Sequence, residues 1–477
     1  MSPLGLKTDW LRGRAFAALP FTPVIFFLFA YVATTVLGNA LYEIPSLRSL
    51  PSLSGIDLDK LDGPFSLGFW TLLLIPIGAV PIISWAVARA ARSLAVSFAQ
   101  VASDLSLPVY LAITVPLYLY VTYALVEADA FNKLFAGVDG VEAVRNRFAV
   151  IAALSTPLRI CLMSLLVFLG MYSATKVLRH PRLSWRIIFA ANITALSALL
   201  LALNMKWPLL LFQISLAMQV LAFSAKRRLR DTFLVLALVS ASYFAVSSAL
   251  LRLGQVGTFD AVNAKSAPPR PDTSLSAQIM FLGLQAINRM AMGVPFYWEE
   301  FANQGKRCGS LFDSAFNKNP AACQPSHLIY EKMFRDEFAG RGTQPAAFHI
   351  YEFARAGWPG ALLTMCLGGA ILGLFVALWP ATRQNDLVAT IFSMGVPTGY
   401  MLAQLPVEGV IFYDHGIAYW ALMVAVTSAA TFFIKSVVSV ALPNDPVRPV
   451  RLKPGIIAGG RGQDRSARNA AGGRHDI

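Results

Sequence analysis

One long polar segment of the chain, residues 254–356, carries most of the side chains that could do chemistry. Its arginines suit phosphate, its aromatic rings suit a sugar, and its acids and histidine could act as a base. These residues are Arg289, Tyr297, Trp298, Glu299, Glu300, Arg341, His349 and Glu352. Because apolar sequence flanks the segment on both sides, we expect helices to hold it and the segment to be the working part.

Arg289 lies between two apolar stretches, residues 279–284 and 290–294. A helix built from them would rest at the membrane surface and hold Arg289 at headgroup depth. A guanidinium binds phosphate through two parallel hydrogen bonds, so a lipid pyrophosphate could be held here. The alternative is an arginine that snorkels to the headgroups without a specific ligand.

The stretch 295–301 places aromatic rings next to carboxylates. Tyr297 and Trp298 could stack on a sugar ring, while Glu299 and Glu300 could accept sugar hydroxyl groups or activate one as a base. The alternative is an interfacial aromatic belt followed by a solvated pair of acids.

His349 and Glu352 are three residues apart, so on a helix they would share a face. That face would lie at the outer mouth of the next apolar span. The alternatives are a locally bonded polar residue for His349 and an ion pair with Arg355 for Glu352. Three residues near the ends of later spans could join the same cavity: Glu408, Asp414 and His415.

Two more basic residues are candidate phosphate ligands. Lys206 lies in an external turn between the fifth and sixth apolar spans. Arg159 is predicted near the middle of the fourth span, where a charge is a functional-site hypothesis by default. Its structural alternative is a pairing with Gln213 or Asn192.

The four cysteines divide into two kinds. Cys308 and Cys323 lie in the polar segment, where an external compartment permits a disulfide, with two free thiols as the alternative. Cys161 and Cys366 lie in apolar spans and are expected to be packing residues. Since no second Cys or His pair follows at ligand spacing, no metal site is predicted.

The composition predicts an all-α, polytopic membrane protein. Of 477 residues, 56% are hydrophobic and 14% charged, against about 25% charged in soluble domains. About ten apolar runs are long enough to span a bilayer, and no cleavable signal peptide precedes the first. The predicted spans are residues 16–37, 67–88, 107–126, 148–172, 187–203, 209–225, 232–253, 358–379, 387–405 and 411–434.

The distribution of basic residues predicts the orientation of these spans. Lysines and arginines cluster in alternate loops, which the positive-inside rule places in the cytoplasm together with both termini. The net charge of +14 therefore indicates membrane topology and not a nucleic-acid partner. Four regions follow: spans one to seven (1–253), an external loop (254–356), spans eight to ten (357–434), and a basic, disordered cytoplasmic tail (435–477).

In the order of its features, the chain between residues 204 and 379 resembles the bacterial oligosaccharide repeat-unit polymerases of the O-antigen polymerase type. The first feature is the turn Asn-Met-Lys-Trp-Pro around Lys206, where an arginine is commoner in the family. The second is Asn-Arg at 288–289, followed by the Tyr-Trp-Glu-Glu-Phe cluster. The third is the polar stretch from Thr343 into Gly-Trp-Pro-Gly at 357–360.

The resemblance implies an enzyme on the outer face of the bacterial inner membrane. It would transfer a growing glycan from undecaprenyl pyrophosphate to a second lipid-linked repeat unit, producing O-antigen of lipopolysaccharide or an exopolysaccharide. Pyrophosphate is a good leaving group, so the reaction needs no metal or other cofactor. The expected partners are the lipid-linked substrates, membrane lipids, a chain-length regulator and a flippase.

The resemblance distributes roles among the candidates. Phosphate would be bound by Arg289, Arg341, Arg159 and Lys206, and the base would be Glu299, Glu300, Glu352 or His349. Two alternatives remain. An O-antigen ligase-like enzyme, which His349 before span eight favours, attaches glycan to a different acceptor; a flippase or other transporter would move it without chemistry.

Overall fold

The computed structural model describes residues 19–44, 64–135, 140–203, 206–223, 290–309, 323–334, 342–412 and 416–441, with a few single positions between them. All regular structure in these ranges is helical. Within these ranges, seven helices are long and apolar enough to cross a membrane. The chain is therefore an α-helical membrane protein, as its composition predicts.

The first half of the chain contributes nine helices to the described ranges: α1 (Leu19–Glu43), α2 (Leu67–Ala90), α3 (Arg92–Val101), α4 (Leu107–Glu127), α5 (Ala130–Phe135), α6 (Gly140–Ala153), α7 (Thr156–Arg179), α8 (Leu183–Ala202) and α9 (Lys206–Phe223). The second half contributes α10 (Val294–Trp298), which continues as a π-helical turn (Glu299–Asn303), then α11 (Pro325–Phe334), α12 (Phe348–Ala377), α13 (Asp386–Leu402), α14 (Val407–Phe412) and α15 (Ile417–Ala441). The described residues up to Thr431 belong to one compact unit.

The candidate membrane spans follow the predicted ladder closely. They are α1, α2, α4, α7, α8, α12 with its 3₁₀ extension to Arg383, and the stretch Val407–Ala430. The shorter helices α9 and α13 fall at the predicted sixth and ninth spans. The predicted seventh span, 232–253, lies almost wholly outside the described residues.

The predicted fourth span has the wrong beginning. Instead of one helix over 148–172, α6 ends at Ala153 and α7 begins at Thr156, with Ser155 in extended conformation between them. Pro157 in the first turn of α7 lacks an N–H, which suits a helix start and not a helix interior. This break moves Arg159 from the middle of a span to its first turn.

Two glycines one turn apart bring α12 against α2. An added Cβ at Gly369 would lie 2.9 Å from Ile83, and one at Gly373 would lie 2.6 Å from the Ser84 carbonyl oxygen. The Ser84 hydroxyl donates a hydrogen bond to the Gly369 carbonyl at 2.9 Å. Small residues at this spacing let two helices approach closely in a membrane, where packing replaces the hydrophobic effect.

A sharp kink divides α12 near its beginning. Gly357 has φ +67° and ψ −153°, so Phe348–Ala356 and Trp358–Ala377 form two separate helical segments. Side chains other than hydrogen are strongly disfavoured at this conformation. Pro359 then lies in the first turn of the second segment, where its missing N–H costs nothing.

Charged side chains join the last turn of α7 to the first residue of α13. Asp386, which is buried, lies 2.7 Å from Lys176 Nζ, 3.1 Å from Arg179 Nη1 and 3.2 Å from His180 Nε2. Lys176 also lies 3.4 Å from Asp104, which precedes α4. We call these five residues the Asp386 cluster. It marks the end of the helices opposite to the start of α12.

Candidate functional site

Three buried charged residues meet where α12 begins. Arg355 Nη1 donates hydrogen bonds to Glu352 Oε1 at 2.6 Å and to Glu408 Oε1 at 2.5 Å. Glu352 and Arg355 are three residues apart on the first segment of α12, and Glu408 comes from the first turn of α14. All three are at most 5% exposed. We call them the Arg355 cluster.

The Arg355 cluster agrees with two of the sequence-based interpretations. The ion pair with Arg355, which was the alternative for Glu352, is present. Glu408 joins the same site, as predicted from its position at the end of a span. Asp414 and His415, the other two residues predicted there, lie outside the described residues.

His349 is helical, as expected, but its ring enters a different environment. It is fully buried, and its Nε2 lies 3.2 Å from the Tyr31 hydroxyl oxygen, which in turn donates to the Leu73 carbonyl at 2.9 Å. The rings of Tyr31 and Phe348 pack edge-on against it. The His349 ring therefore lies in the packing between α1 and α2.

The two acids after Trp298 differ sharply in environment. Glu300 is 1% exposed and pairs with Lys306 at 2.7 Å and with Lys332 of α11. Glu299 is half-buried and accepts hydrogen bonds from the Asn303 and Gln304 side-chain amides. The alternative of a solvated acid pair therefore does not hold for Glu300, whose carboxylate binds lysines of two separate segments.

The rings of Tyr297 and Trp298, predicted to stack on a sugar, are buried. The Tyr297 ring is 1% exposed; burial raises the pKa of its phenol, which donates a hydrogen bond to the Gln344 carbonyl at 3.1 Å. Trp298 is 8% exposed, with one face stacked on Phe353 and Phe69 against its edge. Both rings pack inside the protein, and their role in binding a sugar stays a prediction.

The predicted phosphate ligands fall partly outside the described residues. Arg289 and Arg341 lie outside the described residues, and the structure shows only that Lys206 begins α9. Arg159 is half-buried, with Nη2 3.4 Å from Thr156 Oγ1. Asn192, one of its expected partners, donates instead to Tyr110 and Ser173.

The predicted disulfide is present between Cys308 and Cys323, whose Cα atoms are 5.1 Å apart. The Cys308 N–H also donates to the Ala354 carbonyl at 3.1 Å, next to Arg355. The disulfide therefore joins the segment after α10 to the residues just before α11, and the backbone hydrogen bond holds that segment against the beginning of α12. The residues around Arg355 are thus supported by the Cys308–Cys323 bond and by the hydrogen bond from Cys308 to Ala354.

Arg307 is the residue near this site that sequence reasoning missed. Its Nη1 donates to the carbonyls of Phe301 and Lys306, both at 2.7 Å, while its Nη2 would lie 2.9 Å from a Cβ at Gly357. An exposed arginine thus covers the kink of α12. Its position beside Cys308 was the available signal, because a disulfide restricts its neighbours.

Comparisons of the chain with protein-family models, with curated proteins and with solved structures find no match.

Proposed function

We propose that this protein is a membrane glycosyltransferase that polymerises undecaprenyl-pyrophosphate-linked oligosaccharide repeat units into O-antigen or exopolysaccharide. In this proposal it has about ten spans, both termini are cytoplasmic, and residues 254–356 face the outside of the inner membrane. The observation that carries the proposal is the Arg355 cluster. Ionisable groups buried in membrane helices are costly and usually mark a functional path or site.

The place of the cluster fits external chemistry. It lies at the end of the helices that also holds the Cys308–Cys323 disulfide and the described parts of the polar segment. Disulfides persist in oxidising compartments such as the bacterial periplasm. The Asp386 cluster, which lies beside loops rich in lysine and arginine, then belongs to the cytoplasmic end.

Among the predicted bases, Glu352 is best placed. Glu300 is already bound by two lysines, and His349 is enclosed by aromatic rings. Arg355 holds Glu352 and Glu408 at fixed positions, which is what a carboxylate needs to accept a proton from an acceptor hydroxyl. Glu408 is the second candidate for the same role.

The leaving pyrophosphate needs cations. Arg289, Arg341, Arg159 and Lys206 remain the candidates from the sequence. In this proposal they stabilise negative charge on the departing lipid pyrophosphate while Glu352 or Glu408 takes the acceptor proton. The bond between the donor sugar and pyrophosphate breaks as the new glycosidic bond forms.

The flippase alternative draws on the same observation, because buried ionisable residues also line transport paths. The ligase alternative loses its one sequence argument, since His349 contacts Tyr31 in the core. The three functions leave different products. Without a polymerase single repeat units reach the acceptor; without a ligase none do; and without a flippase none appear outside the membrane.

The test replaces Glu352 and Glu408 singly by glutamine in cells that lack the chromosomal gene, at matched membrane abundance. Glu331→Gln is the control, since Glu331 is exposed on α11. Removal of a general base should lower chain extension by about 100-fold to 10,000-fold and leave single repeats on the acceptor. Normal long chains in both variants would rule out the Arg355 cluster as the base.

A further inference from the structure

The short helix α3 presents three different faces. Ala95, Ala99 and Ala102 are buried, at 6%, 6% and 7% exposure. Leu94, Phe98 and Val101 form an apolar stripe, exposed by 67%, 38% and 71%. A third face is polar and exposed: Ser93, Ser97 and Gln100. Residues at these spacings, i, i+4 and i+7, lie on one side of a helix.

The alanine face accounts for how α3 attaches to the protein. α3 packs against the 3₁₀ turn Trp379–Arg383 and against α12. Small side chains allow that close approach. The described residues therefore leave the apolar stripe largely uncovered, although three large apolar side chains on one face would be unfavourable in water.

The position of α3 directly after a candidate span indicates that lipid covers the apolar stripe. It begins two residues after the candidate span α2 ends, so it lies at the level where the hydrocarbon ends. Trp85, in the last turns of α2, is 53% exposed and carries the Arg89 guanidinium 5.8 Å above its ring. A tryptophan exposed at the end of a span is typical of the membrane interface.

The charges around α3 indicate the kind of lipid. Among the described residues, exposed arginines at this end of the helices include Arg89, Arg92, Arg182, Arg186 and Arg383. The nearby acids Asp104 and Asp386 already pair with Lys176. Arginines on the polar side of an apolar stripe attract anionic headgroups.

We propose that α3 is an interfacial helix that inserts Leu94, Phe98 and Val101 into the bilayer and binds anionic lipid headgroups through the surrounding arginines. The helix lies parallel to the membrane plane, with its alanines on the protein, its apolar stripe in lipid and its polar face in water. This inference needs the protein to be in a membrane but is independent of its enzymatic activity.

The test places a nitroxide label at each of the six positions of the apolar stripe and the polar face of α3. The full-length protein carries Cys161→Ser and Cys366→Ser and keeps its disulfide intact. The protein is reconstituted in vesicles of phosphatidylcholine and phosphatidylglycerol. Labels at 94, 98 and 101 should collide with dissolved oxygen and report depths of about 5–10 Å below the headgroups. Labels at 93, 97 and 100 should collide with a water-soluble nickel chelate.

Two results would overturn the proposed insertion. Stripe labels open to the nickel chelate would place α3 in water, and stripe labels shielded from both reagents would mean that protein covers it. The lipid class is tested separately with spin-labelled phosphatidylglycerol and phosphatidylcholine. Arg92→Gln with Arg383→Gln should lower the preference for phosphatidylglycerol by about fivefold per arginine, while Arg147→Gln on α6 should not. An unchanged preference would refute the anionic-lipid part.

Discussion

At the scale of single residues, Arg355 is the side chain on which the site depends, since it holds two buried carboxylates. The Arg355→Met variant would leave the buried carboxylates of Glu352 and Glu408 without the guanidinium that binds both of them. We expect a loss of about 3–5 kcal/mol of stability, because an uncompensated buried charge is far more costly than a missing pair. Thermal unfolding in detergent, followed by intrinsic fluorescence, measures the loss.

A triple variant separates structure from chemistry at this site. Glu352→Gln, Arg355→Met and Glu408→Gln together remove all three charges, and the variant should recover most of the stability lost in Arg355→Met. If it folds normally but extends no glycan, the charges serve the reaction. If Arg355→Met alone is as stable as the natural protein, the buried ion pairs are not present in solution.

Gly357 gives a second prediction at this scale. Gly357→Ala should destabilise the protein by about 1–3 kcal/mol, because φ +67° with ψ −153° disfavours any side chain and the new Cβ would approach Arg307. Gly78→Ala is the control: Gly78 lies in helix α2 with open space around it. That change should be neutral or stabilise by up to about 1 kcal/mol. Equal effects of the two changes would contradict the kink.

At the scale of elements, the contact between α2 and α12 determines where the site is held. Gly373→Val would place methyl groups against the Ser84 carbonyl and force the two helices apart, at a cost of about 1–3 kcal/mol. Leu374→Val, at the next and half-exposed position, should have little effect. Resistance to unfolding by a denaturing detergent compares the two, and a weaker effect at 373 than at 374 would argue against this packing.

The membrane topology of the whole molecule is the next prediction. A reporter that is active only outside the cytoplasm should be active when fused after Pro320 and inactive when fused at Lys226, because basic loops stay inside. The Cys308–Cys323 bond near the first fusion point leads to the same expectation. The reverse pattern would remove the basis of the proposed function.

The helices and the polar segment could be predicted from the sequence because long apolar runs and loop charges are local signals. The environment of a single side chain could not. Trp298 was assigned to a sugar, but Phe353 and Phe69, distant in sequence, enclose it. Arg159 was misplaced because Pro157 was not taken as a helix start.

The candidate site was predicted in part for the same reason. The pairing of Glu352 with Arg355 follows from their helical spacing alone. The hydrogen bond between Arg355 and Glu408 depends on how the short helix α14 packs against α12. That packing is visible only in the folded structure. The kink at Gly357 and the guanidinium that covers it depend on a loop conformation that no residue pattern specifies.

The glycine contact between α2 and α12 also constrains how the chain is made. Ser84 and Gly369 are 285 residues apart, so at about 5–20 residues per second the ribosome needs roughly 15–60 s between them. During that interval α2 is in the membrane while its partner has not been synthesised, and lipid must occupy the surface that the glycines later cover. Chains that stop before Phe348 would keep this surface open, and we expect membrane proteases to remove them faster than the complete protein.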